Sequence, residues 1–449
     1  MVKHWRSQAC RIVVYLDDGL GACPSFTSAL EQSSSVRADL VSSGFVPSES
    51  KCNWFPTQDI KWLGLDWDLR TPFLSIPKLK IERLPVAIDE ALANERISAR
   101  RLATVTGLIM SNVVVFGNIC KFMTKALHGV IETRTGWNSC VILDSRAVHE
   151  LQFWRAEVHN FNYRSLAHKS TVPTRFVYSD ASYSGCAAFI SRDDCPIYYK
   201  NWGEIEMRQS STWRELQCVS YALDSFKSLL RSHTVKWFTD NQCVQRILEA
   251  GSMKEHPHKI ALDIYYCARQ HDISLEVEWI PRTQNQKADY LGKIIDFDDR
   301  HVKDKYFQAA SAYWSTCAID CFASCENKKV PKFYSKFFSP GTSGVDAFSF
   351  NWSGEFCWLA PPLCLISRVT LHVCISKCRA VLVVPVWPSA HFIIIDYIYV
   401  ECGKDVFEHG GNKLPLFGSD NFNGAVVFLL LYGARRLPAL AALPGTHLF

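Results

Sequence analysis

The stretch RFVYSDASYSGCAAFIS, residues 175–191, decides how this chain is read. Two apolar runs flank Ser182-Tyr183-Ser184-Gly185, a composition that turns one strand back on the next. Asp180 sits inside the first run, although aspartate is depleted within strands. Further along, residues 211–230 place Leu216, Val219, Leu223, Phe226 and Leu230 on one helical face. TVKWFTD (234–240) reads as a strand, and Asn241 to Ala250 as a helix that Gly251 ends. Residues 258–270 read as a helix, ISLEVEWIP (273–281) as a strand and Gln284 to Lys293 as a last helix. Strands and helices in this order predict an α/β domain of the size one core supports.

Four carboxylates of this domain stand out by position. Asp180 lies within the first strand, Glu215 opens the long helix, Asp240 ends the strand TVKWFTD, and Asp289 opens the last helix. Each of the last three also has a purely structural reading. Thr212-Trp213-Arg214-Glu215 fits a capping box. Asp240 fits a cap for the helix after it. Asp289 fits a solvated acid favoured by the helix dipole. Taken together, they meet in one cleft if the strands are neighbours. Clustered anions repel unless cations neutralise them, and Mg²⁺ takes oxygen ligands while keeping waters for a phosphate substrate. Two such ions stabilise both the attacking and the leaving oxygen of a phosphodiester.

Tyr178-Ser-Asp-Ala-Ser182, Trp213-Arg-Glu-Leu-Gln217, Phe238-Thr-Asp-Asn-Gln242 and Asn285-Gln-Lys-Ala-Asp-Tyr-Leu291 resemble the ordered motifs of type 1 ribonuclease H. The resemblance implies a mixed five-stranded sheet with flanking helices over residues 172–296. It also implies cleavage of the RNA strand of RNA–DNA hybrids by two-metal hydrolysis, with two Mg²⁺ ions or Mn²⁺ as substitute. Asp180, Glu215, Asp240 and Asp289 match the family's metal-binding acids. Many members carry a histidine in the loop before the last aspartate; here that loop is Pro281-Arg-Thr-Gln-Asn285. Arg282 is the candidate for a phosphate contact there, and Asn241 a second candidate nucleic-acid contact.

Residues 11–24 (RIVVYLDDGLGACP) carry a hairpin signal at Asp18-Gly19. Tyr15-Leu-Asp-Asp-Gly19 resembles the palm hairpin of reverse transcriptases, and Trp62-Leu-Gly-Leu-Asp-Trp67 the primer-grip segment that follows it. Residues 60–76 read as two strands with a turn near Arg70-Thr71-Pro72. Residues 79–128 read as a helical thumb, with Ser98 as a cap and Leu102, Val105 and Leu108 on one stripe. A partial palm and thumb over 1–160, followed by ribonuclease H, is the retroelement order, and Asp17 and Asp18 would be a residual polymerase site. Family members carry another catalytic aspartate well upstream, and only 16 residues precede Asp17 here. No DNA synthesis is expected from this chain. Residues 160–174 read as a linker.

Asp320-Cys-Phe-Ala-Ser-Cys-Glu-Asn327, Trp352-Ser-Gly-Glu355, Ala360-Pro-Pro-Leu363 and the strand AVLVVPVWP (380–388) resemble the phage-type DNA N6-adenine methyltransferase module, over residues 315–392. DIRS-like (tyrosine-recombinase class) retrotransposons carry that module after ribonuclease H. The family needs Asp or Asn before Pro-Pro and an aromatic after it. Ala360 and Leu363 stand there instead, so no methyl transfer is expected. The whole resembles a DIRS-like polyprotein fragment, with residues 393–449 unassigned. Binding of nucleic acid without cutting and a decayed element are the alternatives.

Composition agrees with this class. The 449 residues hold 49 Lys and Arg against 44 Asp and Glu, a net +5 that permits a nucleic-acid partner without requiring one. A 48% hydrophobic content argues against disorder along most of the chain. No run reaches the ~18–20 apolar residues of a spanning helix. The nearest is Ala425 to Tyr432, closed by Arg435 and Arg436. Two aspartates arrive before any signal-like apolar core, so the chain is expected to be intracellular and without membrane contact. Its 18 cysteines then read as reduced thiols. Cys317, Cys321 and Cys325 would share one helical face, for packing or, less simply, for a metal.

Overall fold

The computed structural model describes residues 1–93, 96–166, 172–294, 300–386, 394–409 and 424–432. The chain divides into two compact units, Met1–Lys169 and Ser170–Phe449.

In the first unit, Ile12–Tyr15 pairs antiparallel with Asp18–Gly21. The turn is at Leu16 and Asp17, a step earlier than Asp18-Gly19, and Leu16 takes a left-handed φ of 58°. Ile12, at the start of the first strand, is anchored in a small cluster with Trp5 and Cys10. Residues 59–75 form three strands rather than two: Asp59–Trp62, Leu65–Asp68 and Phe73–Ser75. The extra reversal at Leu63-Gly64, both at positive φ, is masked in the sequence by an apolar leucine. Arg164–Ser165, inside the expected linker, pairs with Phe73–Ser75; residues 167–171 of that linker lie outside the described residues.

The expected thumb is a series of short helices interrupted by the strand Arg96–Ser98. Ser98 does cap the helix Ala99–Met110, its hydroxyl accepting from the Arg101 N–H at 3.3 Å. Ile109, rather than Leu108, completes the buried stripe with Leu102 and Val105. Glu150, on the helix Ser145–Glu157, is buried and accepts the N–H groups of Ala126 (2.9 Å) and Leu127 (3.0 Å). It thereby caps the helix Lys125–Glu132 from a distant element.

The second unit holds two five-stranded sheets among its described residues. The first consists of β1 (Arg175–Ala181), β2 (Gly185–Ile190), β3 (Ile197–Asn201), β4 (Thr234–Thr239) and β5 (Ser274–Trp279), in the order β3-β2-β1-β4-β5. β2 is antiparallel to both of its neighbours, while β1, β4 and β5 run parallel. The expected mixed five-stranded sheet is present. Between the strands come α1 (Ser211–Leu230), α2 (Gln242–Ala250) and α3 (Glu255–Gln270), and α4 (Gln286–Gly292) follows β5. The five apolar residues expected on one face of α1 are all fully buried, packed with Val177, Val235 and Trp237 of the sheet. α4 comes very close to β1: a Cβ at Gly292 would lie 3.4 Å from the Asp180 carbonyl oxygen. The small residue lets the helix sit against the strand that carries Asp180.

The second sheet joins β6 (Ile319–Asp320), β7 (Phe356–Leu359), β8 (Arg379–Pro385), β9 (Ile394–Val400) and β10 (Val426–Tyr432), in the order β6-β7-β8-β10-β9. The run that came nearest to a membrane span is therefore β10, an interior strand paired on both edges and buried from Val426 to Leu431. The described helices include none long and apolar enough to cross a membrane. β9 and β10 come from the stretch that the sequence left unassigned. Cys317, Cys321 and Cys325 do not share a helix, because Ile319–Asp320 is a strand. Cys317 and Cys321 are buried beside it, and all 18 cysteines are free thiols.

A strap from the second sheet's side closes an edge of the first. The Phe338 N–H donates to the Ile197 carbonyl at 2.8 Å, and Phe338 packs on Phe226 in the first core. Lys200 of β3 pairs with Glu206 and with Glu326. An edge strand left open is a template for unwanted pairing, and this one is covered.

Candidate active site

Three elements of the first sheet bring their acids together. Asp180 of β1 is 6% exposed. Its strand is pinned from two sides: Trp237 Nε1 donates to Ser179 Oγ at 2.8 Å, and Asn285 Nδ2 donates to the Ser179 carbonyl at 2.9 Å. Glu215 sits in the second turn of α1. The capping-box reading fails here, because the Ser210 hydroxyl caps this helix, accepting from the Trp213 N–H at 3.2 Å. Glu215 instead accepts from Asn241 Nδ2 at 3.1 Å and from the Thr239 hydroxyl at 3.4 Å. Asp240 does not cap α2 either. Asn241 does so, its Oδ1 accepting from the N–H groups of Cys243 (2.9 Å) and Val244 (3.4 Å). Both ends of the Asn241 amide are thus engaged within the protein, which makes it a brace between α2 and Glu215.

With capping left to Ser210 and Asn241, the carboxylates of Asp180, Glu215 and Asp240 lie with ligand atoms within 4.8 Å of one another. Burial pushes Asp180 up to about 6, and the negative charges of Asp240 and Asp289 add to the shift. Burial likewise pushes Glu215 up to about 7, reinforced by Asp240 and Asp180 and opposed by the hydrogen bond from Asn241. Asp240 is raised as well, chiefly by burial and against the pull of the Arg282 guanidinium. Three hard oxygen donors that resist ionisation side by side are a fit for a divalent cation of the Mg²⁺ type, whose charge removes the repulsion.

Asp289 does not join this group of three. It stands on α4 between two cations, accepting from Arg282 and, at 2.5 Å, from Lys293. Burial acts to raise its carboxyl, but the hydrogen bonds from Lys293 and Arg282 outweigh it and hold Asp289 below the usual range. Arg282 is mostly exposed on the turn before α4, with its guanidinium committed to Asp289. Thr239, Lys293 and Asn285 went unread as site residues. The signal for Asn285 was present, since it stands four residues before Asp289 and its carbonyl accepts the Asp289 N–H at 3.0 Å. Asp17 and Asp18 are exposed on their hairpin in the other unit.

No family model and no curated protein matches the chain. Among solved structures, it is similar to the foamy viral protease-reverse transcriptase in complex with RNA/DNA hybrid. The identity there is 14%, over 62% of this chain and 37% of that one, with a TM-score of 0.34. A second foamy viral protease-reverse transcriptase structure, with double-stranded DNA, aligns at 14% identity over 60% of this chain and 46% of that one, TM-score 0.32. The chain thus spans less than half the length of either viral chain. RNase H1 from the halophilic archaeon Halobacterium salinarum aligns at 18% identity over 26% of this chain and 92% of its own, TM-score 0.22. At such scores the reading of the site rests on its own geometry.

Proposed function

We propose that residues 172–296 are a type 1 ribonuclease H that hydrolyses the RNA strand of RNA–DNA hybrids, within a DIRS-like retroelement polyprotein. The observation that supports this most is the convergence of Asp180, Glu215 and Asp240 from a strand, a helix and the residue that follows a second strand. Caps for both helices come from other residues, so the structural explanations of Glu215 and Asp240 are gone. Asp180, Glu215 and Asp240 are the residues that would hold a divalent cation, Mg²⁺ or in its place Mn²⁺. When bound, such an ion supplies Lewis-acid stabilisation of charge at a phosphodiester. The protein's part is positional. Asn241 and Thr239 orient Glu215, and Trp237 with Asn285 fixes the strand under Asp180. Arg282, exposed but paired with Asp289, is the candidate for a backbone-phosphate contact.

A second reading, binding without cutting, is favoured by one observation: Asp289 is tied to Arg282 and Lys293 outside the group of three. The deciding assay uses the full chain with an end-labelled RNA–DNA hybrid, in Mg²⁺, in Mn²⁺ and in EDTA. Cutting of the RNA strand that needs the metal and leaves 5′-phosphates is the expected result. Binding that persists in EDTA and falls steeply with salt, with no cutting by folded protein, would establish the second reading instead.

For residues 1–160 we propose descent from a polymerase palm and thumb. For the second sheet we propose no methyl transfer. Asp320 is spent on backbone donors, the N–H groups of Phe322 (3.3 Å) and Lys329 (3.1 Å). The apolar Ala360 offers an adenine amino group no side-chain acceptor. A labelled methyl donor should leave DNA unlabelled.

A further inference from the structure

α4 has only 7 residues, Gln286–Gly292, so its position depends on what holds its two ends. Asn285 ties the front end to β1, and at the rear the Ser182 hydroxyl donates to the Gly292 carbonyl at 2.7 Å. Those contacts come from β1 and the turn after it. Another comes from the edge of the sheet. The Tyr199 hydroxyl of β3 shares its O–H between Asn201 Oδ1, at 2.6 Å, and the Ile294 carbonyl. Carbonyls at and just past a helix end lack partners within the helix, so Ser182 and Tyr199 supply what α4 cannot. Tyr199 is in turn propped from the second sheet's side, because Phe337 packs on its ring with centroids 5.5 Å apart.

The strap that brings Phe337 is rooted in the other core. Tyr334 belongs to the core of the second sheet, stacked on Phe350 with centroids 4.3 Å apart. Phe338, four residues on, packs against the first core. The Lys332 and Tyr334 carbonyls accept from the N–H groups of Asp320 (3.0 Å) and Ala323 (3.1 Å), which fastens the strap to the second sheet. Near its start, Glu326 pairs with Lys200 of β3. We propose that the second sheet is a buttress for the first: through Phe337 on Tyr199 it fixes the rear of α4, and with it the place of Asp289. Tyr199 is then a positioning residue, and residues 326–338 act on α4 through it. This gives the second sheet a function that needs no methyl transfer. It stands on packing and holds whether or not the site cuts hybrid.

The test is amide hydrogen exchange of the full chain, without metal or hybrid, read by mass spectrometry at α4 and at α2. α2 is the comparison because it is another short helix of the same sheet, 9 residues long. The wild type is set beside Tyr199→Phe, Phe337→Ala and the double variant. Tyr199→Phe keeps the ring under Phe337 and removes only the hydroxyl. Local opening of α4 should quicken about tenfold in Tyr199→Phe, as the loss of one hydrogen bond implies, with α2 unchanged. Phe337→Ala should quicken α4 in the same sense. In the double variant α4 should exchange no faster than in Tyr199→Phe alone, because the hydroxyl is the link. Unchanged exchange of α4 in Tyr199→Phe, or effects of the two changes that multiply, would overturn the proposal. So would equal quickening of α2 and α4, the mark of a loss spread over the whole chain. Cleavage is not the readout, so failure here and failure of the ribonuclease H reading are told apart.

Discussion

The chain presents acids in two very different settings. Asp17 and Asp18 sit side by side at a hairpin, exposed. Asp180, Glu215 and Asp240 come from positions up to 60 residues apart and share one half-buried pocket, where burial above all raises all three, with the charge of one or more neighbouring carboxylates adding to each. The first grouping is a feature of sequence adjacency, and the second exists only once the sheet has formed. What makes carboxylates chemically useful is the cost of holding them together. That cost appears in the second setting, in groups whose ionisation burial disfavours. Glu150 adds a third case, a buried acid whose two acceptor oxygens are consumed by a helix end.

The largest expected effect breaks the comparison at its strong side. Asp180→Asn should lower hybrid cleavage about a thousandfold or more. It should also raise the melting temperature at pH 8 in EDTA, because it removes a charge that the fold disfavours. A drop in melting temperature with the same loss of cleavage would point to a damaged fold rather than a missing ligand.

Glu150 comes next and concerns stability alone. Its carboxyl is raised by burial from an ordinary 4.5 to about 7, against the hydrogen bonds from Ala126 and Leu127. Between those values the folded chain holds a proton that the unfolded chain releases, so stability declines as pH rises from about 4.5 to 7. The loss is at most ~3 kcal/mol, given partial relaxation. Calorimetric scans at pH 5 and pH 8 should show this decline in the wild type and a flatter response in Glu150→Gln. Equal slopes in both would remove Glu150 from the account.

Phe338→Ala follows. It takes an aromatic ring off Phe226 at the covered edge of the first sheet and should cost about 2 kcal/mol. Cleavage at 25 °C should persist, since no acid of the site touches that edge. Unchanged thermal unfolding would mean that the strap contributes nothing. The smallest effect belongs to the exposed pair: Asp17→Asn with Asp18→Asn should leave both hybrid cleavage and melting within experimental scatter.

Much of the first sheet was legible because its pattern was strong. The helix 211–230 formed with its five expected apolar residues buried, and the turn at Ser182–Gly185 lies where its composition placed it. Of the four acids read in the sequence, three come together, and that geometry was not legible. Ser210 and Asn241 won the capping positions from Thr212 and Asp240, a competition decided by one or two residues of register. The pairing of Asp289 with Arg282 was hidden because it needs the turn before α4 to place Arg282 beside the helix, whereas Lys293, four residues after Asp289, was legible in the spacing and went unread. Leu16 and Leu63 concealed their turns, since leucine seldom takes a positive φ. β10 went unread because a buried strand has no alternation to show, and it is apolar at all but its last residue.

One experiment tests the central contrast most directly: hybrid cleavage in Mg²⁺ by the full-length wild type, by Asp180→Asn, and by the Asp17→Asn/Asp18→Asn double variant, side by side. The account predicts a silent Asp180→Asn beside a double variant as active as the wild type. Cutting by Asp180→Asn at the wild-type rate, or loss of cutting in the double variant, would contradict it.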